Sequence, residues 1–518
     1  MTLIFNRDER FSRPSARPPE TETIEGTRVL APKDPEGGGT WIAANEYGLV
    51  CCLMNNYSAS FTNEPEKQYR SRGLLVRSVS AFSDLHCLRA MLDGIDFREY
   101  RPFHLIVFPG VFSPLEWQWD GAELREVVAP PPILTTSGSL PRLTKKLRTR
   151  LFRKATDNFT RLIPDEEQLA MHRSRRPWPP AWSVAMKRKN RGTVSLTRVQ
   201  VNEKDVVMSY QPGDPAATPH PMQISRLERT GSTKPDRELL PCDPYPDHSI
   251  DVIRLLGEKN PEMQKKLPGA VRSGIRLVAK EKSINTLLDR HHDLHCNFHA
   301  SKALNHLGVR AFLKPAGGAL PAPETRPVFM SNHPTGGLDG LLVLHWLSTY
   351  YPRVHLLVND LLWNLPHMRP YIIPVDVFGD TRKALKTVFE AFKGDASLMV
   401  FPSGVTARKK NGILTEAPWQ KNSIKMAIKH KRTVVPIHID GHNSRFFYGL
   451  AWMRKMLRIP MNLEMMLLSW ELFKPATKDY GMTVGTPLSP DQVRALGSND
   501  DKRAEQLRRI CVQLGEPA

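Results

Sequence analysis

The chain has 518 residues, of which 40% are hydrophobic and 24% charged, a composition that excludes general disorder. Its formal net charge of +20 favours a polyanionic partner, such as nucleic acid, anionic lipid or a phosphorylated substrate. No apolar run approaches the length of a membrane-spanning helix, and the 6 scattered cysteines, without a CxxC pair, indicate a reducing compartment and no disulfides.

The first half of the chain is predicted to be rich in β-structure. Between residues 40 and 130, helical signal is confined to residues 81–92. Strands are expected in the apolar segments TWIAA, GLVCCLM, GLLVRSV, FHLIVF and REVVAP.

A basic amphipathic helix is predicted from Thr144 to Ile163, and a return to strand over residues 193–210. The segment from Pro212 to Pro246 then contains eight prolines, which is the composition of a linker. We therefore predict a first domain at residues 1–225, a linker at 226–248 and a second domain at 249–518.

The second half changes character. Helical patterns fill residues 249–308, and short apolar strands then alternate with helices: PVFMSN, VHLLV, YIIPVD, SLMVFP and TVVPIHI. Strands separated by helices predict an α/β domain, and the chain as a whole is predicted to combine α/β and α+β folds.

The segment from Val328 to Gly340, VFMSNHPTGGLDG, carries the strongest chemical signal. A strand is predicted to end at Asn332-His333, and an apolar helix to begin near Gly340. His333 and Asp339 thus bracket a tight turn, where an aspartate that binds one imidazole nitrogen leaves the other free as a base. Amides at a helix N-terminus also favour anions. The pattern predicts a catalytic His–Asp pair.

This segment resembles the first motif of the glycerolipid acyltransferase superfamily. It is most similar to the haemolysin-related, lyso-ornithine-lipid acyltransferase-like branch, which shows NHP-x-GG-x-DG. The remaining motifs follow in family order: YIIPVD at 371–376 with Arg382, FPSGVTAR at 401–408, VPI at 435–437 and GHNS at 441–444. Ser403 stands where the superfamily has an acid that helps to hold glycerol phosphate. Another lysolipid or amphiphile is therefore the expected acceptor.

The resemblance covers roughly residues 250–490 and implies an α/β acyltransferase domain with a helical N-terminal extension. Such a domain moves a fatty acyl group from acyl-CoA or an acyl carrier protein to a hydroxyl of a lysolipid. His333 is expected to be the general base, and Asp339 to orient it. The thioester is a co-substrate, so no resident cofactor and no metal are expected.

The substrate contacts implied by the resemblance are expected at turns and basic side chains. The amides of Gly336, Gly337 and Gly404 are candidates for an oxyanion or a phosphate. Arg408 is expected to bind a phosphate, while Arg382 fits a phosphate ligand and an ordinary helix start equally well. Lys409 and Lys410 fit a site or plain surface charge. Asn332 and Ser403 complete the predicted set of substrate-binding residues.

A docking surface for an anionic membrane is expected near residues 446–458. Phe446, Leu450, Met453 and Leu457 share one face of a predicted helix, with basic residues elsewhere on the turn. The same pattern fits a helix that faces the core. On this hypothesis the protein is cytoplasmic and peripheral on the inner face of the membrane.

Three histidines, His291, His295 and His299, recur every four residues and would share one helix face. Together with Cys296 they allow a zinc site. No acid–His or CxxC signature accompanies them, so a polar helix face or a headgroup contact is the preferred interpretation.

The N-terminus contains the string Asn6-Arg7-Asp8-Glu9 and resembles the NRDE family of the transport-and-Golgi-organisation type. Supporting matches extend over roughly residues 1–225. The resemblance implies a layered αββα fold like that of N-terminal-nucleophile hydrolases. The family's cysteine after the initiator methionine is missing here, which leaves Thr2 as a distant alternative. Cys51 and Cys52 lie in an apolar strand and are predicted core residues.

Two other hypotheses about the function of the chain remain open. In one, the NRDE half is the working unit, as an amide hydrolase or a carrier of lipid or acyl-CoA, and the other half is catalytically silent. In the other, the net charge serves nucleic acid, but no helix-turn-helix, finger or aromatic–basic pattern supports that function. The intact His–Asp pair favours the acyltransferase.

Overall fold

The computed structural model divides into two compact units, residues 1–236 and 237–518. This division falls inside the segment predicted as a linker. The structure describes residues 1–62, 64, 67–109, 114–128, 133–156, 163–217, 221–231, 250–259, 265, 267–290, 300, 303–315, 320–375, 381–410, 413–456, 463–474 and 478–516.

The first unit is built on two antiparallel sheets. One has the strand order β1-β9-β10-β11, and the other runs from β2 to β8 in chain order. The strands are β1 (Thr2–Arg10), β2 (Arg17–Ile24), β3 (Thr27–Lys33), β4 (Ile42–Asn45), β5 (Leu49–Asn55), β6 (Phe103–Pro109), β7 (Leu115–Trp119), β8 (Leu124–Val128), β9 (Arg191–Val201), β10 (Asp205–Pro212) and β11 (Gln223–Glu228). Strand β11 thus continues past residue 225, the predicted end of the first domain.

The two sheets pack face to face and carry helices on their outer sides. Ile42 and Ile106 of one sheet share an apolar core with Val199 and Met208 of the other. The helices are α1 (Arg72–Val79), α2 (Leu85–Asp93), α3 (Pro141–Ala155) and α4 (Asp165–His172). Helix α1 packs on β4 and β5, and Leu169 of α4 packs on the opposite sheet. These layers have the αββα order that the NRDE resemblance implied.

Two local predictions for this unit are wrong. The segment GLLVRSV lies within α1 and is not a strand, because Leu75, Val76 and Val79 are buried at helical spacing. Near the start of this helix Gly73 lies against Gly39, where a Cβ on Gly39 would lie only 2.2 Å from the Gly73 carbonyl carbon. Helix α3 begins at Pro141 and ends at Ala155, well before the predicted Ile163.

The second unit contains a mostly parallel sheet. Its order is β15-β14-β16-β13-β19-β20-β12, in which the first five strands are parallel and β20 is antiparallel to β19. The strands are β12 (Val309–Pro315), β13 (Val328–Ser331), β14 (Val354–Asn359), β15 (Ile372–Val375), β16 (Ser397–Val400), β19 (Val434–Ile439) and β20 (Lys478–Val484), with a hairpin of β17 (Arg408–Lys410) and β18 (Ile413–Thr415) beside it.

Helices cover both faces of this sheet, as in other α/β domains. They are α5 (Val252–Lys259), α6 (Gly269–Val278), α7 (Glu281–Arg290), α8 (Gly337–Tyr350), α9 (Thr381–Lys393), α10 (Lys421–Lys429), α11 (Arg445–Met456), α12 (Leu463–Leu472), α13 (Pro490–Ala495) and α14 (Asp500–Gln513). On one face Val328 and Leu398 pack against Ile424 and Leu507. On the other, Phe329 packs against Trp346 of α8. The predicted α/β and α+β classes are confirmed.

Arg432, just before β19, is completely buried and donates to backbone carbonyls, including those of Phe392 at 2.8 Å and Ala396 at 2.7 Å. Burial lowers the pKa of its guanidinium to about 10. We expect Arg432→Met to lower the free energy of unfolding by about 3–5 kcal/mol, since several buried acceptors lose their donor. Urea denaturation tests this, with the exposed Lys425→Met as control. Equal midpoints for the two variants would contradict it.

Candidate active site

Three loops of the second unit meet at one edge of the sheet. They follow β13, β16 and β19, which are adjacent and parallel, so their carboxyl ends lie together. The Ala407 amide donates to the carbonyl of His333 at 2.9 Å, which joins the loop after β16 to the loop after β13. Asn443 Nδ2 donates to the carbonyl of Pro334 at 3.4 Å, which joins the loop after β19 to the loop after β13. The NHPTGGLD, FPSGVTAR and GHNS motifs are therefore neighbours in space.

Asp339 lies in the first turn of α8, which begins at Gly337 and not near Gly340 as predicted. Its carboxylate is completely buried and accepts the backbone N–H groups of Thr335 at 2.8 Å and Gly336 at 2.9 Å, together with the Thr335 hydroxyl. Gly336 has a φ of +93°, which glycine adopts without strain. The turn therefore fixes this carboxylate independently of the histidine.

His333 presents its ring beside that carboxylate. Nδ1 lies 3.1 Å from Asp339 Oδ2, at ion-pair distance but without the alignment of a hydrogen bond. The ring stacks on Phe401, with centroids 4.2 Å apart, and the side chain is 19% exposed. With Nδ1 facing the carboxylate, Nε2 is the ring nitrogen that the predicted general base would use.

Glu416 is a neighbour of His333 that sequence reasoning missed. Its Oε1 accepts the His333 backbone N–H at 3.1 Å, although the two residues are 83 positions apart. The pKa of Glu416 is raised above its usual value, because the effect of burial exceeds the opposing effect of the nearby side chains of Trp419 and Ser403. No motif marked this residue, because it follows the β17–β18 hairpin outside the FPSGVTAR string.

Asn332, a predicted substrate contact, is hydrogen-bonded to the backbone of the neighbouring strand. Its Nδ2 donates to the Ile439 carbonyl at 2.9 Å, and its Oδ1 accepts the Ile439 amide at 2.8 Å. Both ends of the side chain are thus engaged in joining the end of β13 to the end of β19. Buried amides are generally satisfied in this way, so Asn332 positions the loop.

The predicted glycine amides differ in their availability. The Gly336 amide donates to Asp339, and the Gly404 amide donates to the Phe401 carbonyl at 3.0 Å. Gly337 is exposed at the start of α8, where the first helical amides lack partners within the helix. Ser403 is buried and donates to the Val405 carbonyl at 3.0 Å. Of the three amides, only that of Gly337 has no hydrogen-bond partner among the described residues.

Of the basic residues predicted to contact substrate, Arg408 and Lys409 have described side chains, and these lie at the same edge of the sheet. Arg408 donates to Thr406 and has its guanidinium 5.1 Å from the Phe447 ring centroid. Lys409 Nζ lies 5.4 Å from the ring centroid of Tyr448. Arg382 is the second residue of α9, and its side chain, like that of Lys410, is outside the described part of the chain.

Comparison with known proteins agrees with this geometry. The family model described as "Acyltransferase" matches residues 254–514, about half of the chain, and contains the His333–Asp339 pair. The chain belongs to the acyltransferase family. The predicted recognition is thereby confirmed for the second unit.

Two curated relatives match this acyltransferase unit. A protein named lyso-glycine lipid O-acyltransferase from Bacteroides thetaiotaomicron is 35% identical over 268 residues, which is 51% of this chain and 97% of the relative. A protein of the same name from Phocaeicola vulgatus is 32% identical over 243 residues, 46% of this chain and 86% of the relative. The similarity supports acyl transfer to a lipid.

The unit before the acyltransferase matches the family model "Transport and Golgi organisation 2" over residues 1–167, which confirms the NRDE resemblance. Asp8 accepts the Thr193 hydroxyl at 2.6 Å, and burial raises the pKa of Asp8. Arg7 lies 3.6 Å from Asp34, which Arg13 also contacts at 2.6 Å. The motif thus forms a partly buried ionic network on β1.

Thr2, the alternative nucleophile, and the two adjacent cysteines lie on different strands of the first unit. Thr2 begins β1, and its hydroxyl lies 3.5 Å from Asp165 Oδ2, at the end of the strand away from Asp8. Cys51 and Cys52 are buried in β5, and burial raises the pKa of both thiols, so neither is a ready nucleophile. They are core residues, as predicted.

The expectations about metal sites and membrane-spanning helices can be compared only with the part of the chain that the structure describes. In that part of the chain, no group of three or more His, Cys, Asp or Glu side chains has the arrangement of a metal site. The histidines at 291, 295 and 299 lie outside it. Among the described helices, none has the length and apolar character needed to cross a membrane.

Proposed function

We propose that the second unit transfers a fatty acyl group from a thioester to a hydroxyl of a lysolipid. The observation that carries this proposal is the imidazole of His333 beside the buried carboxylate of Asp339, within a unit that belongs to the acyltransferase family. The thioester, as acyl-CoA or acyl carrier protein, is a co-substrate. No resident cofactor or metal is required by this chemistry.

In the proposed reaction, His333 Nε2 takes the proton of the acceptor hydroxyl while its oxygen attacks the thioester carbonyl. A tetrahedral intermediate forms, and the exposed Gly337 amide is the candidate donor to its oxyanion. The C–S bond then breaks, the thiolate leaves, and the imidazolium returns the proton to it. Asp339 stabilises the imidazolium while it exists. Because the proton is then passed to the thiolate, the His–Asp pair returns to its starting charge after each cycle.

The acceptor is proposed to carry an amino-acid headgroup, because both curated relatives are named for a lyso-glycine lipid. A glycine headgroup ends in a carboxylate, which an arginine binds with two parallel hydrogen bonds. Arg408 lies at the edge of the sheet that carries His333 and is the candidate for this contact, with Arg382 as a second candidate. A phosphate headgroup remains the competing outcome of the acceptor test.

The decisive experiment incubates the purified protein with labelled acyl-CoA or labelled acyl carrier protein and a panel of acceptors. The panel contains lyso-glycine lipid, lyso-ornithine lipid, lysophosphatidic acid and glycerol 3-phosphate. Label in one lipid product identifies both the acceptor and the donor. No transfer to any acceptor from either donor would contradict the proposal and make the first unit the place to look for an activity.

We propose that the protein works as a peripheral enzyme at the inner, cytoplasmic face of an anionic membrane. Supporting this, Phe446 and Trp452 of α11 are 62% and 67% exposed, and Leu277 of α6 is 73% exposed. Helix α6 has no buried residue and packs on α12. Exposed apolar surface and a net charge of +20 together suit an anionic leaflet better than nucleic acid.

The predicted apolar face of α11 is only partly available for this contact. Leu450 packs against Phe447 and Leu467, which favours the core-facing alternative for that residue. Phe446 and Met453 are exposed, whereas Leu457 lies outside the described residues. The proposed contact therefore centres on Phe446 and Trp452.

Replacing Phe446 and Trp452 together with serine is expected to weaken binding to phosphatidylglycerol-containing vesicles at least about tenfold, since each buried aromatic side chain contributes about 1.5–3 kcal/mol. Vesicle sedimentation measures the effect. Trp178→Ser is the matched control, because Trp178 of the first unit is 82% exposed. Unchanged sedimentation of the double variant would argue against this surface.

A further inference from the structure

Glu416 holds the main chain of the catalytic histidine. It directly follows β18, and its Oε1 accepts the His333 N–H at 3.1 Å. The Gln420 amide donates to the Pro402 carbonyl at 2.9 Å and fixes the following segment against the motif loop. On its other side, the peptide of His333 is held by the Ala407 amide. The residue that carries the imidazole is thus attached through both its N–H and its C=O.

The carboxyl of Glu416 lies in a poorly hydrated place. Burial raises its pKa, while Trp419, Ser403 and the charge of His333 lower it. Oε2 is buried, and no aligned donor reaches it within the described part of the chain. A carboxyl group without a full set of hydrogen bonds is costly to bury, so stability is a poor explanation for an acid at this position.

Other charged groups near Glu416 leave its interaction with His333 dominant. Arg508 of α14 faces it, but donates to Glu505 of the same helix at 2.9 Å. Cys511 also faces it, and burial keeps that thiol neutral by raising its pKa. A charge that develops on the imidazole of His333 is therefore the principal change that Glu416 experiences.

We infer that Glu416 is a positioning residue for His333, which fixes the main chain of the histidine and places a second negative charge near this residue. The inference rests on the proposed function, because it assigns Glu416 a part in the proton transfer to His333. When His333 takes the hydroxyl proton, Asp339 and Glu416 both stabilise the imidazolium. The proton leaves with the thiol, so Glu416 gains and loses none.

The test uses Glu416→Gln, which keeps an oxygen acceptor for the His333 N–H but removes the charge. We expect kcat about tenfold lower and KM for the acceptor unchanged, because the lost charge would act on the imidazolium that forms during the reaction and not on substrate binding. Glu416→Ala removes the acceptor as well and is expected to lower kcat about a hundredfold. The exposed Glu324→Gln is the charge-matched control and is expected to match the wild type.

A second readout keeps the inference separate from the proposed function. The NMR signal of the His333 backbone amide reports directly on its hydrogen bond to Glu416. That signal is expected to shift in Glu416→Ala, which removes the acceptor, and to stay closer to its wild-type position in Glu416→Gln, even if no lipid is acylated. An unchanged amide signal in Glu416→Ala, or wild-type kcat in both variants, would overturn the inference. An inactive wild type with a shifted amide signal would overturn only the proposed function.

Discussion

Replacing His333 with alanine is expected to lower kcat for acyl transfer by about a thousandfold or more, the largest effect expected of any single substitution. General-base catalysis by a positioned imidazole contributes about 10²–10⁴-fold. Here the ring is held by Phe401 at 4.2 Å and by Asp339 at 3.1 Å, so its position is defined before substrate arrives. Single-turnover transfer of a labelled acyl group measures the loss.

The fold of the His333→Ala variant is expected to stay intact, because the hydrogen bonds that close the turn use Asp339 and the backbone. His430→Ala is a suitable control, since His430 lies at the end of α10, before β19 and away from the site. It is expected to keep wild-type activity. A His333→Ala protein that retains more than about a tenth of the wild-type rate would show that another group is the base.

Asp339→Asn is expected to lower both stability and activity, in contrast to His333→Ala. The carboxylate accepts two backbone amides and one hydroxyl in a fully buried turn, and an amide side chain turns one acceptor into a donor. Leaving a buried donor unsatisfied costs about 1–3 kcal/mol, and the loss of negative charge at the start of α8 adds to it. We expect about 3 kcal/mol less stability and kcat about a hundredfold lower.

Urea denaturation and the same transfer assay measure the two effects of Asp339→Asn. Asp491→Asn is the matched control, because Asp491 also lies in the first turn of a helix but its side chain is 86% exposed. Its expected cost is about 0.5 kcal/mol or less. Wild-type stability in Asp339→Asn would contradict the closed turn, and a wild-type rate would contradict its part in catalysis.

Much of the site is readable from the sequence, because its motifs are local. NHPTGGLD contains the base, the acid and the glycine turn within a few residues, so their proximity follows from chain connectivity. The sequence predicts the start of α8 near Gly340, whereas the helix begins at Gly337. It includes Asp339 because the carboxylate of this residue caps the first turn. Asp339 is therefore part of the helix, and its carboxylate closes the preceding turn through hydrogen bonds to that turn's backbone amides.

Long-range contacts explain what the sequence left undetermined. The motif predicts a substrate contact at Asn332, and only the structure shows that its side chain bonds to the backbone of Ile439, 107 positions away. Glu416 carried no signal at all, because only the packing of the hairpin brings it to His333. GLLVRSV has an apolar run that suits either strand or helix, and the close approach of Gly39 and Gly73 is a tertiary contact that favours the helix.

The sequence by itself determined the two-part organisation, the α/β class of the second unit and the proximity of His333 and Asp339, since each depends on composition, periodicity or residues close in the chain. The layered fold of the first unit was implied by the resemblance of its NRDE motif. Only the tertiary structure decided which amides remain open, which polar side chains serve the fold, and that Glu416 contacts the histidine. Those properties depend on hydrogen bonds between separate strands and loops. A linear pattern does not specify them, because each donor has many acceptors within its reach until the chain is packed.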